Sequence, residues 1–274
     1  MSEEINKNYL KEKQYKSTKY LEARIKIHSF TENKQSFHQW LFDQYDLSNF
    51  KNKKIKVLDV ACGTGVFWKQ NFEKFKNFEI DLTMTDFADS MLEKSKLSLK
   101  DYSFNINYEI ADIEKLEKYY GKFDIVFCHN AVYHAENKDL ALQNLSRCLN
   151  DAKESFVSIT TNSEKHMLNV YEIGRKLDSN FPTDRIIDTF TEETADKMLE
   201  KHFTVDKKLE LEKLKVTDLE ILMNYVASGV EPRNIKLKDT FYEEYSKIAK
   251  QEIDNNGYFE IIKRSPLYIC KKVN

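Results

Sequence analysis

A chain of 274 residues has room for one full α/β domain with a cap or insertion, and a core of that size folds without disulfide staples. Its 43 Lys and Arg against 45 Asp and Glu leave a net charge of −2, so no overall basic field calls for nucleic acid or an anionic membrane. Four widely spaced cysteines without a C-x-x-C pair, an N-terminus unlike a signal peptide, and no apolar run near the ~20 residues of a membrane span point to a cytoplasmic protein with free thiols.

Residues 1–18 are polar and Lys-rich and read as a mobile arm. Two helices follow over 19–48, the first with Leu21, Ile25 and His28 on one face, the second with Phe37, Trp40 and Leu41 together. The run Ile55–Val60 is a buried strand whose single acid, Asp59, needs a partner. Ala61, Cys62, Gly63, Thr64 and Gly65 then form a small-residue turn where a ligand can lie against backbone, and Phe67, Trp68, Phe72 and Phe75 mark an amphipathic helix over 64–76. A dinucleotide fingerprint would need Gly or Ala where Trp68 stands, and no Gly-Lys-Ser/Thr follows, so NAD, FAD, ATP and GTP are disfavoured.

Phe78–Thr85 alternates as a second strand and ends at Asp86, about 20 residues past the turn. A carboxylate there can accept from both hydroxyls of a ribose, or cap the next helix. Tyr108–Ala111 is a third strand, and the following Asp112 and Ile113 suit adenine, the acid accepting from the exocyclic amine and the aliphatic side chain packing on the ring. A fourth strand over 121–128 ends in His129-Asn130-Ala131-Val132-Tyr133-His134, a dense set of donors, acceptors and possible bases. The fifth strand, 155–161, leads to His166, and helices predominate to about 228 around a strand-like stretch from 203 to 211. Thr217–Glu220 reads as a capping box, a further helix begins near Thr240, and Leu267–Cys270 reads as the last strand.

Val57-Leu-Asp-Val-Ala-Cys-Gly-Thr-Gly65 resembles motif I of the class I S-adenosylmethionine (SAM) dependent methyltransferases, and the later motifs arrive in order. The resemblance spans about 20–272. It implies an α/β fold: a Rossmann-like, seven-stranded, mostly parallel sheet in the order 3-2-1-4-5-7-6, with N-terminal helices and a partly helical insertion over about 165–255 forming a lid. Residues 19–274 would then be one domain. It implies SAM as cofactor and S-adenosylhomocysteine as product, held by Asp59, Ala61, Cys62, Gly63, Thr64, Gly65, Asp86, Phe87, Met91, Asp112, Ile113 and His129. The family's N-terminal helices often fold over the cofactor, which makes Arg24, with Tyr20 and His28, a cofactor contact, unless these helices only pack on the sheet edge. Tyr133-His134 is similar to the strand-end segment of a subgroup of bacterial small-molecule methyltransferases. His129-Asn130 stands in the reverse order here, and Leu149–Lys153 lacks the family's Pro-Gly-Gly turn.

The implied reaction is in-line displacement, in which orientation alone can contribute roughly 7–11 kcal/mol. His134 is the first choice of base with Tyr133 as orienting donor; alternatively this turn binds the cofactor's amino-acid moiety and no base is used. His166 is a substrate contact or a loop side chain bonded to backbone. The residues offer no convincing metal set. A small molecule or peptide is the expected substrate of a monomer or homodimer. An RNA or protein methyltransferase, gripping its partner with the Lys-rich arm, and a non-catalytic SAM-binding scaffold stay open.

Overall fold

The computed structural model describes residues 18–182 and 189–273, so the expected arm over 1–18 lies outside the described residues but for Thr18. In chain order the elements are α1 (Thr18–Lys26), α2 (Phe37–Asp43), β1 (Lys54–Val60), α3 (Val66–Phe75), β2 (Glu79–Asp86), α4 (Asp89–Leu99), β3 (Asn105–Ile110), β4 (Ile125–His129), α5 (Lys138–Cys148) and β5 (Phe156–Thr160). They continue as α6 (Leu168–Leu177), α7 (Glu192–Leu199), β6 (Phe203–Val216), α8 (Leu219–Val230), α9 (Phe241–Asn256) and β7 (Phe259–Lys272). The strands form one seven-stranded sheet in the order β3-β2-β1-β4-β5-β7-β6, as the motif resemblance implies, and β7 runs antiparallel to β5.

The chain divides into two compact units: a sheet unit of 35–163, 189–209 and 265–274, and a helical unit made of the described parts of 1–34, 164–188 and 210–264. β6 and β7 contribute residues to both.

In the sheet unit β1 is buried on both faces, as a central parallel strand must be. Its period of two sends Leu58 and Val60 to a cluster with Val126, Leu142, Leu145 and Ile159. Ile55 and Val57 go to the opposite cluster, with Phe67, Trp68, Phe75 and Phe127. Asp59, in phase with Val57, therefore faces the side that α3 covers, where Trp68 and Phe75 stack at 4.4 Å. The register aligns Asp59 with Met84 of β2 and Phe127 of β4, and His129 of β4 with Thr160 of β5. The carboxyl ends of β1, β2, β4 and β5 thus finish at one rim of the sheet, where ligands of open α/β sheets bind.

The helical unit packs Ile27, Val170, Phe181, Leu222, Val226, Phe241 and Tyr245 into its own core. Several local expectations are corrected here. The first helix gives way to a 3-10 turn over Ile27–Phe30, which changes the phase: Ile27 is the buried residue, while Ile25 is 59% exposed. The cap of α8 is Asp218, whose carboxylate accepts from Ile221 N at 3.1 Å, and not Thr217. β6 is continuous, and β7 begins at Phe259, well before Leu267. The polar Lys263–Ser265 and Pro266 look like a break in sequence. In the fold Lys263 is buried in an ion pair with Glu212, and Pro266, which lacks only a donor, still lends its carbonyl to Thr161 N.

A Cβ on Gly174 of α6 would stand 2.4 Å from the Phe181 ring. Ala normally stabilises a helix interior by up to ~1 kcal/mol over Gly, but overpacking costs about 1–3 kcal/mol, so the steric cost wins. Gly174→Ala is expected to lower Tm by several degrees in a thermal melt.

Candidate active site

The turn after β1 is built from backbone that few side chains tolerate. Ala61, Gly63 and Gly65 have φ of 57°, 55° and 73°. The turn is closed by Gly65 N donating to Cys62 O (3.1 Å) and anchored to β2 by Cys62 N donating to Thr85 O (2.9 Å). The two glycines serve different ends. A Cβ at Gly65 would meet Ser95 Oγ at 2.6 Å, so this glycine lets α4 approach; a Cβ at Gly63 would meet nothing within 4 Å, so this one faces open space.

Asp86 ties the turn to the end of β2. Its Oδ2 accepts from Gly63 N (3.1 Å) and its Oδ1 from Ala88 N (2.9 Å). The side chain is nearly buried, and burial raises its pKa while the backbone donors pull it down. Asp59 lies deeper: its Oδ2 accepts from Trp68 Nε1 at 2.8 Å. Burial pushes its pKa up to about 7, the indole bond opposes the rise, and the charge of Asp86 adds to it. The residue that disfavoured a dinucleotide in sequence is thus the partner that the buried acid required. Phe87 is partly exposed, Met91 is buried on α4, and Ala111 N donates to Asp86 O (3.1 Å), bringing the end of β3 alongside. Asp112 Oδ1 accepts from Glu114 N (3.0 Å), and Ile113 is buried at the edge of the sheet-unit core.

At the end of β4, Asn130 is held at φ 52° by its N–H, which donates to both Thr160 O (3.1 Å) and Thr160 Oγ1 (3.0 Å). A 3-10 turn over Val132–His134 follows, with Tyr133 and His134 ring centroids 4.5 Å apart. Asn130 Oδ1 and His134 Nδ1 are buried without a hydrogen-bond partner among the described residues. Burial first, and the Lys138 charge second, lower the His134 pKa to about 4. His129 joins a group that sequence did not reveal: its Nε2 lies 3.0 Å from Ser158 Oγ and 3.3 Å from Tyr45 Oη, and those two hydroxyls are 2.7 Å apart. Burial of the ring lowers its pKa to about 3. Tyr45 is 84 and 113 positions from its partners, so no local pattern could have signalled it.

Cys62 and Cys128 have thiols pushed up by burial, which keeps them protonated and inert. No cluster of His, Cys, Asp or Glu among the described residues could hold a metal ion. Arg24 and His166 belong to the helical unit. There Arg24 Nη2 donates to Ser228 O (2.9 Å), and His166 Nδ1 accepts from Arg264 N (3.2 Å).

Residues 57–152 match a family described as a methyltransferase domain. This segment is a methyltransferase domain. A 94-residue stretch is 35% identical to malonyl-acyl-carrier-protein O-methyltransferase 1 of Ilyobacter polytropus, covering 34% of this chain and 32% of that protein. Another of 112 residues is 28% identical to the ubiquinone biosynthesis O-methyltransferase of Coxiella burnetii, covering 41% and 46%. The chain thus spans about a third to a half of the length of these curated relatives. Among solved structures, phosphoethanolamine N-methyltransferase 2 of Haemonchus contortus in complex with SAM has a TM-score of 0.55 at 15% identity, over 99% of this chain and 61% of that one. The [4+2]-cyclase SpnF has a TM-score of 0.53 at 12% identity, over 95% and 97%. These likenesses show the fold. The methyltransferase match ends at 152, so it covers the glycine turn, Asp86 and the His129–His134 turn but not His166. No helix among the described residues is long and apolar enough to cross a membrane.

Asp59 binds its proton more tightly in the folded domain than in the unfolded chain, so its contribution to stability is complete below about pH 4 and is lost as pH rises through about 7. Asp59→Asn keeps an acceptor for the Trp68 indole and removes the titration. Its Tm is expected to be flatter than the wild type's between pH 5 and 8, by several degrees, in parallel melts.

Proposed function

We propose that this chain transfers a methyl group from SAM to an O, N or C nucleophile of a small molecule or peptide, in the cytosol. The observation that carries the reading is the pair of buried, unpartnered atoms, Asn130 Oδ1 and His134 Nδ1, in the same methyltransferase domain as the glycine turn. Leaving a buried polar group unpaired costs about 1–3 kcal/mol, and a ligand bearing donors at that rim would recover it.

The residues present fit SAM. The open face of Gly63 lets a ligand approach the turn formed by Ala61, Cys62, Gly63, Thr64 and Gly65. Asp86, acceptor-only when ionised, retains lone pairs beyond the two that Gly63 and Ala88 use, and would take the ribose hydroxyls. Phe87, Met91, Asp112 and Ile113 would flank the adenine, and His129 would adjoin the amino-acid end. Asp59 supports the turn from below through Trp68. When bound, SAM supplies a methyl group on a positively charged sulfur, reactive enough that the protein's main task is orientation.

His134 stays neutral at pH 7, so its Nδ1 can accept the proton that leaves an O–H or N–H nucleophile, with Tyr133 packed on its ring to set the orientation. The low pKa keeps this base available down to about pH 5 and removes it as pH falls through about 4.

Calorimetry with SAM, S-adenosylhomocysteine and NAD tests the cofactor: micromolar binding of the first two, lost in Asp86→Ala, is expected, and binding of NAD instead would overturn it. Once an acceptor is found in a screen that includes small molecules, peptides and RNA, His134→Gln is expected to lower kcat by about 100-fold or more while SAM affinity is kept. A loss of SAM affinity with kcat retained at saturation would make His134 a cofactor contact instead.

A further inference from the structure

Three side chains of the sheet unit close a hydrogen-bonded triangle at the end of β4. Ser158 of β5 lies two residues before Thr160, the register partner of His129, so the strand's period of two sets Ser158 and Thr160 on one face. Tyr45, two residues past α2, packs its ring 5.5 Å from both Phe127 and Phe156. Its Oη is 2.7 Å from Ser158 Oγ, and His129 Nε2 is 3.0 Å from that Oγ and 3.3 Å from the Oη. Tyr45 and Ser158 are both buried, so bulk water does not serve either hydroxyl.

The contacts of this triangle have to accommodate the hydrogens present. The ring is neutral at pH 7, since burial lowers its pKa to about 3, and a neutral imidazole carries one proton, on Nε2 or on Nδ1. With the proton on Nε2, that nitrogen is a donor, and the contact between the two hydroxyls holds a single hydrogen. The other hydroxyl hydrogen is then left buried with no acceptor among the described residues, which is costly. With the proton on Nδ1, Tyr45 donates to Ser158 Oγ and Ser158 donates to Nε2, and both hydroxyl hydrogens are used. The hydrogen count selects this second arrangement.

Nδ1 then carries a hydrogen with no acceptor among the described residues, while Asn130 Oδ1, on the next residue, is a buried acceptor with no donor among them. An α-amino-acid zwitterion offers the complement of that pair on neighbouring groups: a carboxylate that accepts and an ammonium that donates. We propose that Tyr45 and Ser158 are positioning residues, which fix His129 as the tautomer whose Nδ1–H, together with Asn130 Oδ1, receives the carboxylate and ammonium at the amino-acid end of the cofactor. The ligand in this proposal rests on the methyl-transfer reading; the tautomer does not.

The tautomer is read by long-range proton–nitrogen NMR on the full chain labelled with 15N at the histidine rings, the His129 signals being identified by their loss in His129→Gln. Without ligand, the wild type is expected to show a protonated Nδ1 and a bare Nε2; a protonated Nε2 would overturn the proposal. Tyr45→Phe and Ser158→Ala each leave one hydroxyl to donate to Nε2 and should keep the pattern, whereas the double variant should move the signal toward the Nε2–H form. Calorimetry then compares S-adenosylhomocysteine, which has the amino-acid end, with 5′-methylthioadenosine, which lacks it. The double variant is expected to weaken the first about ten-fold or more and the second little, with Tm maintained because both ring and strand packing are kept. An unchanged tautomer, or equal losses for the two ligands in a folded double variant, would make the triangle purely structural. Failure of S-adenosylhomocysteine to bind the wild type would instead sink the methyl-transfer reading and the ligand with it, while the ligand-free spectrum still decides the role of Tyr45 and Ser158.

Discussion

A single nearly buried carboxylate, Asp86, ties the glycine turn to the end of β2 by accepting from Gly63 N and Ala88 N. Those two N–H groups lie in loops that enter different helices, and without an acceptor Ala88 N would be a buried donor and Gly63 N a half-buried one. Charge-assisted bonds to backbone are among the stronger hydrogen bonds available, and here they define the shape of two strand-end loops at once. The geometry of the rim follows: the turn can present its open side at Gly63 because its other side is held.

The rim also stores strain. Ala61 and Asn130 occupy the left-handed region with a Cβ in place, at roughly 1–2 kcal/mol each. Asn130 is kept there by two acceptors on Thr160, and its own carboxamide oxygen is left buried without a partner among the described residues. Backbone strain and an unsatisfied acceptor on one residue are together costly for a fold and useful for a ligand, because the site is pre-formed before anything binds. His129 shows the complementary arrangement, its Nε2 fully engaged by Ser158 and Tyr45 so that the ring cannot reorient freely.

Electrostatics divides the acids and bases of this domain by depth. Asp59 is raised to about 7 beneath the turn, while His134 is lowered to about 4 at the rim, and in both cases burial is the first cause. The neutral form is favoured in each, which leaves a carboxyl that holds a proton and an imidazole that can receive one. SpnF, a cyclase, has a similar fold, so the fold alone does not select a chemistry; the side chains at the rim do.

Much of this was legible in the chain itself. A β-branched run ending in a small-residue turn requires a strand, a tight bend and a helix, and the spacing from Gly65 to Asp86 places the second acid at the next strand end. These are short-range patterns, set by dihedral limits and side-chain periodicity, and they identified β1 to β5 together with the turn, Asp86 and the His129–His134 segment. What sequence could not supply was pairing across distance. Trp68 as the donor to Asp59, Tyr45 and Ser158 around His129, and Lys263 buried against Glu212 all join residues whose proximity only the packed sheet creates. The phase change at Ile27 and the unbroken β6 and β7 likewise depend on which face finds a neighbour. Local sequence determined the elements and the residue types at the rim; tertiary structure decided which of those polar groups are satisfied and which are left for a ligand, because burial and hydrogen-bond partners come from packing.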